Sequence, residues 1–422
     1  MTEQLLHHLW KYRLFNQNNI TTINGQPVQV ISPGLHNTDS GPDFFNARLK
    51  IGDTEWAGNV EIHINESDWN RHNHQHDEAY KNVILHVVYK SDSKAKQPRH
   101  LPVLELKNYI DDKILKHYDQ LMLYPGKIPC EKAFGSIDHF TINNWLDRML
   151  IERLENKTES IAALLSQNQN NWEETFYIML ARNFGFKVNA VPFELLARSL
   201  PLNYLAKHKS SLFQLEALLY GQAGLLNSQF KDEYPNKLKR EYDFLRKKFS
   251  LITTEPGLWK FMRMRPVNFP SIRLAQFAQL IHRSSHLFSK LIEAKSHKDV
   301  LRLFDVGVSE YWTSHFVFDK KSTLSEKHLG TTAIENIIIN TVSPLLFHFG
   351  KTKGEHRYQN RAIELLEKTP AEENQIIKRW HDSGYSASNA AQTQALIQLY
   401  NFYCTHKKCL LCAVGNKILR AS

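Results

Sequence analysis

The feature that most restricts how this chain can fold is a change in its hydrophobic period. Up to residue 106 the apolar residues form short runs of strand character: Val28–Ile31, Phe45–Ile51, Trp56–Ile64, Val83–Tyr89 and Pro102–Leu106. β-Branched and aromatic side chains suit a pleated surface, where successive residues face opposite sides. From about residue 138 onward that pattern fades, and apolar residues recur three and four apart, the period of a helix buried along one stripe. This order predicts an α+β protein: an N-terminal mixed-sheet α/β module over 1–125, then a large all-α region over 126–422. Tyr124-Pro125-Gly126 and Pro129-Cys130 mark the boundary.

Within the module the chain reads as a helix over 4–15, then strands at 21–23 and 28–31 turned by Asn24-Gly25. A polar, turn-rich loop runs from Ser32 to Pro42, and Gly52-Asp53 joins the next two strands. A short polar helix is expected over Ser67–Tyr80, a charged loop around Lys90–Arg99 and a helix over Ile110–Leu123. The near-continuous apolar run Val83–Tyr89 marks a central strand. Further helices are expected at 145–165, 172–184, 191–199, 211–225, 235–249, 271–294, 299–304, 330–348, 358–367, 371–381 and 387–403. Gly221 and Gly224 read as small residues that let helices approach closely.

At 422 residues the chain can bury a full core without disulfides. It has no apolar run of the roughly 18 residues a membrane span needs, and its first residues lack the pattern of an export signal. A cytoplasmic protein with no membrane partner is therefore expected, its four cysteines serving as thiols or metal ligands. Charge is uneven. Residues 1–125 carry 13 basic and 15 acidic residues, whereas the remainder carries 40 and 28. The basic excess sits in the helical region, as expected for an acidic partner such as nucleic acid.

Three residues of the module suggest chemistry. Asp43 follows Gly41-Pro42 at the entry to a strand, and Glu61 and His63 lie two apart near the end of the next. On a strand, residues i and i+2 share a face, so Glu61 and His63 point together and Asp43 comes within reach if the strands pair as neighbours. Two carboxylates in this arrangement suit Mg²⁺ or Mn²⁺. The order helix, strand, Pro-Asp, strand, Glu-x-polar, helix, strand resembles the PD-(D/E)xK nuclease superfamily. The resemblance implies a restriction-endonuclease-like module in which Asp43 and Glu61 bind metal and His63 occupies the place where a water-assisting lysine is usual. Across nearly its whole length the chain also resembles an uncharacterised bacterial family of unknown function, through Gly41-Pro-Asp-Phe44, Gly58-Asn-Val-Glu-Ile-His63, Ser67-Asp-Trp69 with His72-Asn-His74, Val83–Val88, Arg265-Pro-Val-Asn-Phe-Pro270 and the C-terminal cysteines. That likeness implies no activity.

Three further groups are candidates. His72, His74 and His76 alternate and are followed by Asp77, a set suited to Zn²⁺; with His86 inside the Val83–Tyr89 strand and with Glu61 and His63, a mixed Glu/His/Asp metal site is the alternative. Cys404, Cys409 and Cys412 fall within nine residues, and Cys130 or His406 would complete a Zn²⁺ or iron–sulfur site. Arg263, Arg265 and Arg273 are interleaved with aromatics, a pattern that lines nucleic-acid grooves. Three functions follow as expectations: a divalent-metal-dependent nuclease using Asp43, Glu61 and His63; a non-catalytic nucleic-acid-binding or scaffold protein; and a Zn²⁺-dependent hydrolase using His72, His74 and Asp77.

Overall fold

The computed structural model describes residues 1–92, 101–284 and 286–421. Most of the charged loop expected around Lys90–Arg99 lies outside the described residues. The described chain falls into two compact units. The first comprises Met1–Trp145, Arg379–Tyr385 and Leu399–Ser422, and the second Leu146–Lys378 and Ser386–Gln398. This division differs from a cut at 125/126. The C-terminal segment does not extend the helical array but packs in the first unit, where Lys407 Nζ donates to the Met122 carbonyl.

The first unit opens with α1 (Glu3–Lys11), whose Leu5, Leu6, Leu9 and Trp10 are buried. Strands β1 (Val28–Ser32), β2 (Leu35–His36), β3 (Phe44–Ile51), β4 (Thr54–Asn65), β5 (Val83–Lys90) and β6 (Val103–Glu105) build one sheet in the order β1-β3-β4-β5-β6, with β2 paired to β3. The ladder is antiparallel through β1, β3 and β4, then parallel through β4, β5 and β6. The β3–β4 hairpin closes at Gly52, whose φ of +60° needs no side-chain accommodation. The strand expected at 21–23 is reduced to one bridge, Thr21 to Pro27, around Gly25 at φ +80°.

Parallel β4 and β5 need a crossover. It is not the single helix expected over Ser67–Tyr80. It consists of α2 (Asp68–Arg71) and two 3₁₀ turns, His74–His76 and Glu78–Tyr80. Asn73 breaks the helix at φ +61°, a left-handed conformation that Asn tolerates. That break folds the histidine-bearing segment back over the end of β4. Beyond β6, α3 (Asp112–Leu123) is capped by the Asp111 side chain accepting from the Lys113 N–H.

The second unit is mainly helical, with one correction: a two-stranded hairpin, β7 (His315–Val317) with β8 (Lys320–Lys321), interrupts the expected all-α region. The helix expected over 271–294 is two, Pro270–Arg283 and Leu287–Glu293. Ser284 is extended between them, and Glu173 accepts the freed N–H groups of Phe288 and Ser289. The helix expected over 330–348 contains a π turn at Ile338–Val342. Pro344 follows one residue beyond it and would clash with the carbonyl four residues back in an α register, which the wider turn relieves. Gly221 packs against the Tyr242 ring so closely that a Cβ would lie 2.0 Å from it. Among the described residues no helix is long and apolar enough to cross a membrane.

Candidate metal centre

β4 presents Glu61 and His63 to one face, and in the parallel register Glu61 pairs with His86 of β5. Both are buried, Glu61 at 4% and His63 at 1% exposure, and His86 is fully buried. Val60 and Ile62 fill the opposite face, so β4 is packed on both sides. Asp43 immediately precedes β3, where a register shift between Phe44 and Ala47 bends the strand. The Asp43 N–H donates to Glu61 Oε2 at 3.1 Å, and the Ile62 N–H donates to Asp43 Oδ2 at 2.9 Å. Each carboxylate is thus anchored by the backbone of the other's strand.

The crossover brings two histidines onto this pair. His63 Nε2 lies 3.2 Å from His72 Nδ1, His74 Nε2 lies 3.3 Å from Glu61 Oε1, and His63 Nε2 lies 3.5 Å from the same oxygen. The ligand atoms of His63, His72 and His74 all fall within 4.8 Å of one another. Ligands about 2.0–2.1 Å from one ion are separated by about 3.0–3.4 Å along the edges of its coordination polyhedron. The observed spacings sit at or close to that range. His63 Nδ1 meets His86 Nε2 at 2.9 Å. If its proton sits on Nδ1, donated to His86, the Nε2 lone pair is free to face the cluster. His74 Nε2 and His86 Nδ1 are buried and make no hydrogen bond. Tyr80 stacks on His74 at 3.8 Å, and Trp69 lies beside both His74 and His86.

The electrostatics follow from burial. Desolvation, then the neighbouring Asp43 charge, pushes the Glu61 carboxyl up to about 9. Desolvation, then the other imidazoles, pulls His63 down to about 2, and burial pulls His86 down to about 3. The metal-free cluster therefore presents the neutral imidazoles of His63 and His86 beside a carboxyl group that burial holds protonated. A divalent cation supplies the charge this arrangement lacks, so the donor set fits a metal.

Of the expected site residues, Asp43, Glu61, His63, His72 and His74 come together in one place rather than two. Asp77 does not join them: it is exposed, and its Oδ1 accepts the Ala79 N–H at 2.9 Å as the cap of a 3₁₀ turn. His76 is exposed as well. His63 stands where the nuclease pattern has lysine, but as a neutral imidazole it brings no positive charge. Two residues of α1 were missed. His7 Nε2 lies 3.2 Å from Asp43 Oδ2, and Glu3, one turn earlier, feels both His7 and Asp43. The i,i+4 spacing of Glu3 and His7 on the half-buried edge of an amphipathic helix was the available signal.

The arginine set divides. Arg263 and Arg265 are exposed. Arg273 is buried, donates to Gln276 Oε1 and Asn268 Oδ1, and stacks on Phe186 at 4.6 Å. Its guanidinium is occupied by the interior of the second unit and does not face a ligand.

A family model described as "Protein of unknown function (DUF2851)" matches residues 3–375. The chain belongs to that family. The match spans the whole candidate metal centre and Cys130, and ends before Cys404. Neither the comparison with curated proteins nor that with solved structures finds a match.

Proposed function

We propose that this DUF2851 protein is a divalent-metal-dependent hydrolase that cleaves phosphodiester bonds in nucleic acid. The observation that carries the reading is the convergence of Asp43, Glu61, His63, His72 and His74 on one point, which runs from buried Glu61 and His63 to exposed His72. Glu61, His63, His72 and His74 would hold the ion. A nitrogen-rich set of this kind suits Mn²⁺ or Zn²⁺ better than Mg²⁺, which prefers oxygen and water. When bound, the ion supplies charge stabilisation and lowers the pKa of a coordinated water.

The chain's own groups do the rest. His86 fixes the orientation of His63 through their 2.9 Å contact. The Asp43–His7 pair lies on the more open side, with side-chain exposures of 22% and 19%. It is placed to take a proton from an attacking water. Two features support a nucleic-acid substrate: the basic excess of the chain, and the resemblance of Pro42-Asp43 and Glu61-x-His63, on successive strands, to the PD-(D/E)xK pattern. The exposed Arg263 and Arg265 would contact phosphate.

The test is cleavage of single- and double-stranded DNA and RNA with Mn²⁺, Zn²⁺ or Mg²⁺, using wild type, Asp43→Asn and His72→Ala, with metal content measured in parallel. Cleavage by wild type is expected, lost in Asp43→Asn with metal retained and lost in His72→Ala together with metal. Metal bound at full occupancy without cleavage of any of these substrates would refute the nuclease reading and leave a metal-bearing binding or scaffold protein.

A further inference from the structure

We infer that Cys130, Cys404, Cys409 and Cys412 hold an iron–sulfur cluster, which ties the C-terminal segment into the first unit. These are all the cysteines of the chain, all are buried, and none is in a disulfide. They come from stretches far apart in sequence yet meet in one interior region. Cys130 lies close enough to interact with Cys412 and Cys409, and Cys404 close enough to interact with Cys130, Cys412 and Cys409. Each sulfur is thus an electrostatic neighbour of others in the set.

The backbone around them is bent to make this meeting. Cys404 ends a π turn at Tyr400–Cys404, and Lys407 then turns the chain at φ +51°, a left-handed conformation unfavourable for a residue with a Cβ. Cys409 opens a 3₁₀ turn, and Cys412 directly precedes the helix Ala413–Leu419. That helix lies so close that a Cβ on Gly415 would sit 2.2 Å from the Cys409 carbonyl oxygen. The N–H groups of Gly415 and Val414 and the Trp145 indole are directed at Cys412, opposing the effect of burial on its thiol. N–H groups aimed at the cysteine sulfurs are a common feature around protein-bound clusters.

Sulfur spacing selects the cofactor. Four thiolates about 2.3 Å from one tetrahedral Zn²⁺ lie about 3.8 Å apart. Any three of them would then fall within the 4.8 Å that His63, His72 and His74 satisfy. Among the described residues those histidines are the set that does so, and no three of the cysteine sulfurs do. A cubane cluster, in which each thiolate binds a different iron, needs the wider spacing.

The experiment uses full-length protein purified without oxygen, assayed for iron, acid-labile sulfide and zinc, with visible absorption before and after dithionite. About four iron and four sulfide per chain are expected, with a broad visible band that bleaches on reduction. Cys412→Ser and Cys130→Ser should each lose the sulfide and the band. Labile sulfide cannot arise from iron at the histidine centre, and Glu61→Gln should retain it, which separates this inference from the proposed function. Because a cysteine variant can simply fail to fold, the wild-type analysis decides. One zinc per chain without sulfide overturns the cluster, and wild type with four titratable thiols and no metal overturns the site.

Discussion

Replacing Glu61 with Gln tests whether the metal centre is built at the expense of stability. In the metal-free protein the Glu61 carboxyl is raised from its ordinary 4.5 to about 9 by burial and by Asp43. An acid with a raised folded pKa holds its proton more tightly when folded. Its contribution is therefore best at low pH and worsens as pH rises from 4.5 towards 9, at about 1.4 kcal/mol per pH unit. Between 4.5 and 7 the ceiling is about 3 kcal/mol, and relaxation with water entry reduces it to about 1–3 kcal/mol. Gln mimics the protonated acid, because its carbonyl can accept the Asp43 N–H and its amide can donate toward His63 and His74. EDTA-treated Glu61→Gln is thus expected to be about 1–3 kcal/mol more stable than wild type at pH 7, with little difference at pH 4.5. The assay is urea unfolding followed by tryptophan fluorescence, to which Trp69 contributes from beside the centre, its ring 5.4 Å from that of His74. Saturating Mn²⁺ or Zn²⁺ should reverse the order, since ligand at 100 times Kd adds about 2.7 kcal/mol to the protein that binds it. Equal stability at pH 4.5 and 8, or a less stable variant at pH 8, would refute the electrostatic account.

Other perturbations probe separate parts of the molecule. His86 has a folded pKa of about 3, below its ordinary 6.5, so its share of stability is present above 6.5 and is lost as pH falls toward 3; His86→Gln should flatten that acid limb in EDTA, as read from melting temperature against pH, and an unchanged limb would count against the burial argument. Gly221→Ala places a Cβ 2.0 Å from the Tyr242 ring, so a loss of about 1–3 kcal/mol is expected from overpacking, and an unaltered denaturation midpoint would show that the helices can part freely. Arg263→Ala with Arg265→Ala should weaken nucleic-acid binding and lower its salt slope by about 2, whereas Arg273→Ala should lower stability and leave the slope unchanged; a salt slope that drops in Arg273→Ala instead would place that buried side chain on the ligand.

Local pattern made much of the first unit legible. The i,i+2 pairing of Glu61 and His63 on a strand, the apolar Val83–Val88 run and the Asn24-Gly25 turn depend on neighbours in sequence, and the structure has each of them. The helix bounds in the second unit followed from periodicity, closely at Trp172–Phe184 and less well where Ser284 or Pro344 interrupts a long apolar stripe. The histidines were legible as ligands, but a separate Zn²⁺ site and a mixed site with Glu61 and His63 both stayed open, because a crossover gives no sequence sign of where it folds back. The left-handed Asn73 lies at that fold-back, with His72 against His63, His74 brought to Glu61 and Asp77 left as a turn cap.

By itself, then, the sequence determined which residues carry donor atoms, which runs become strand or helix and where the charge lies, since those properties depend on composition and on periods of two and 3.6 residues. Tertiary structure alone decided between a separate and a mixed histidine site, and it alone decided that His7 supports Asp43, that Arg273 is an interior group, and that Cys130 rather than an exposed His406 lies near the C-terminal cysteines. Each of those outcomes joins segments distant along the chain, and only the burial of apolar faces against one another fixes which distant segments meet.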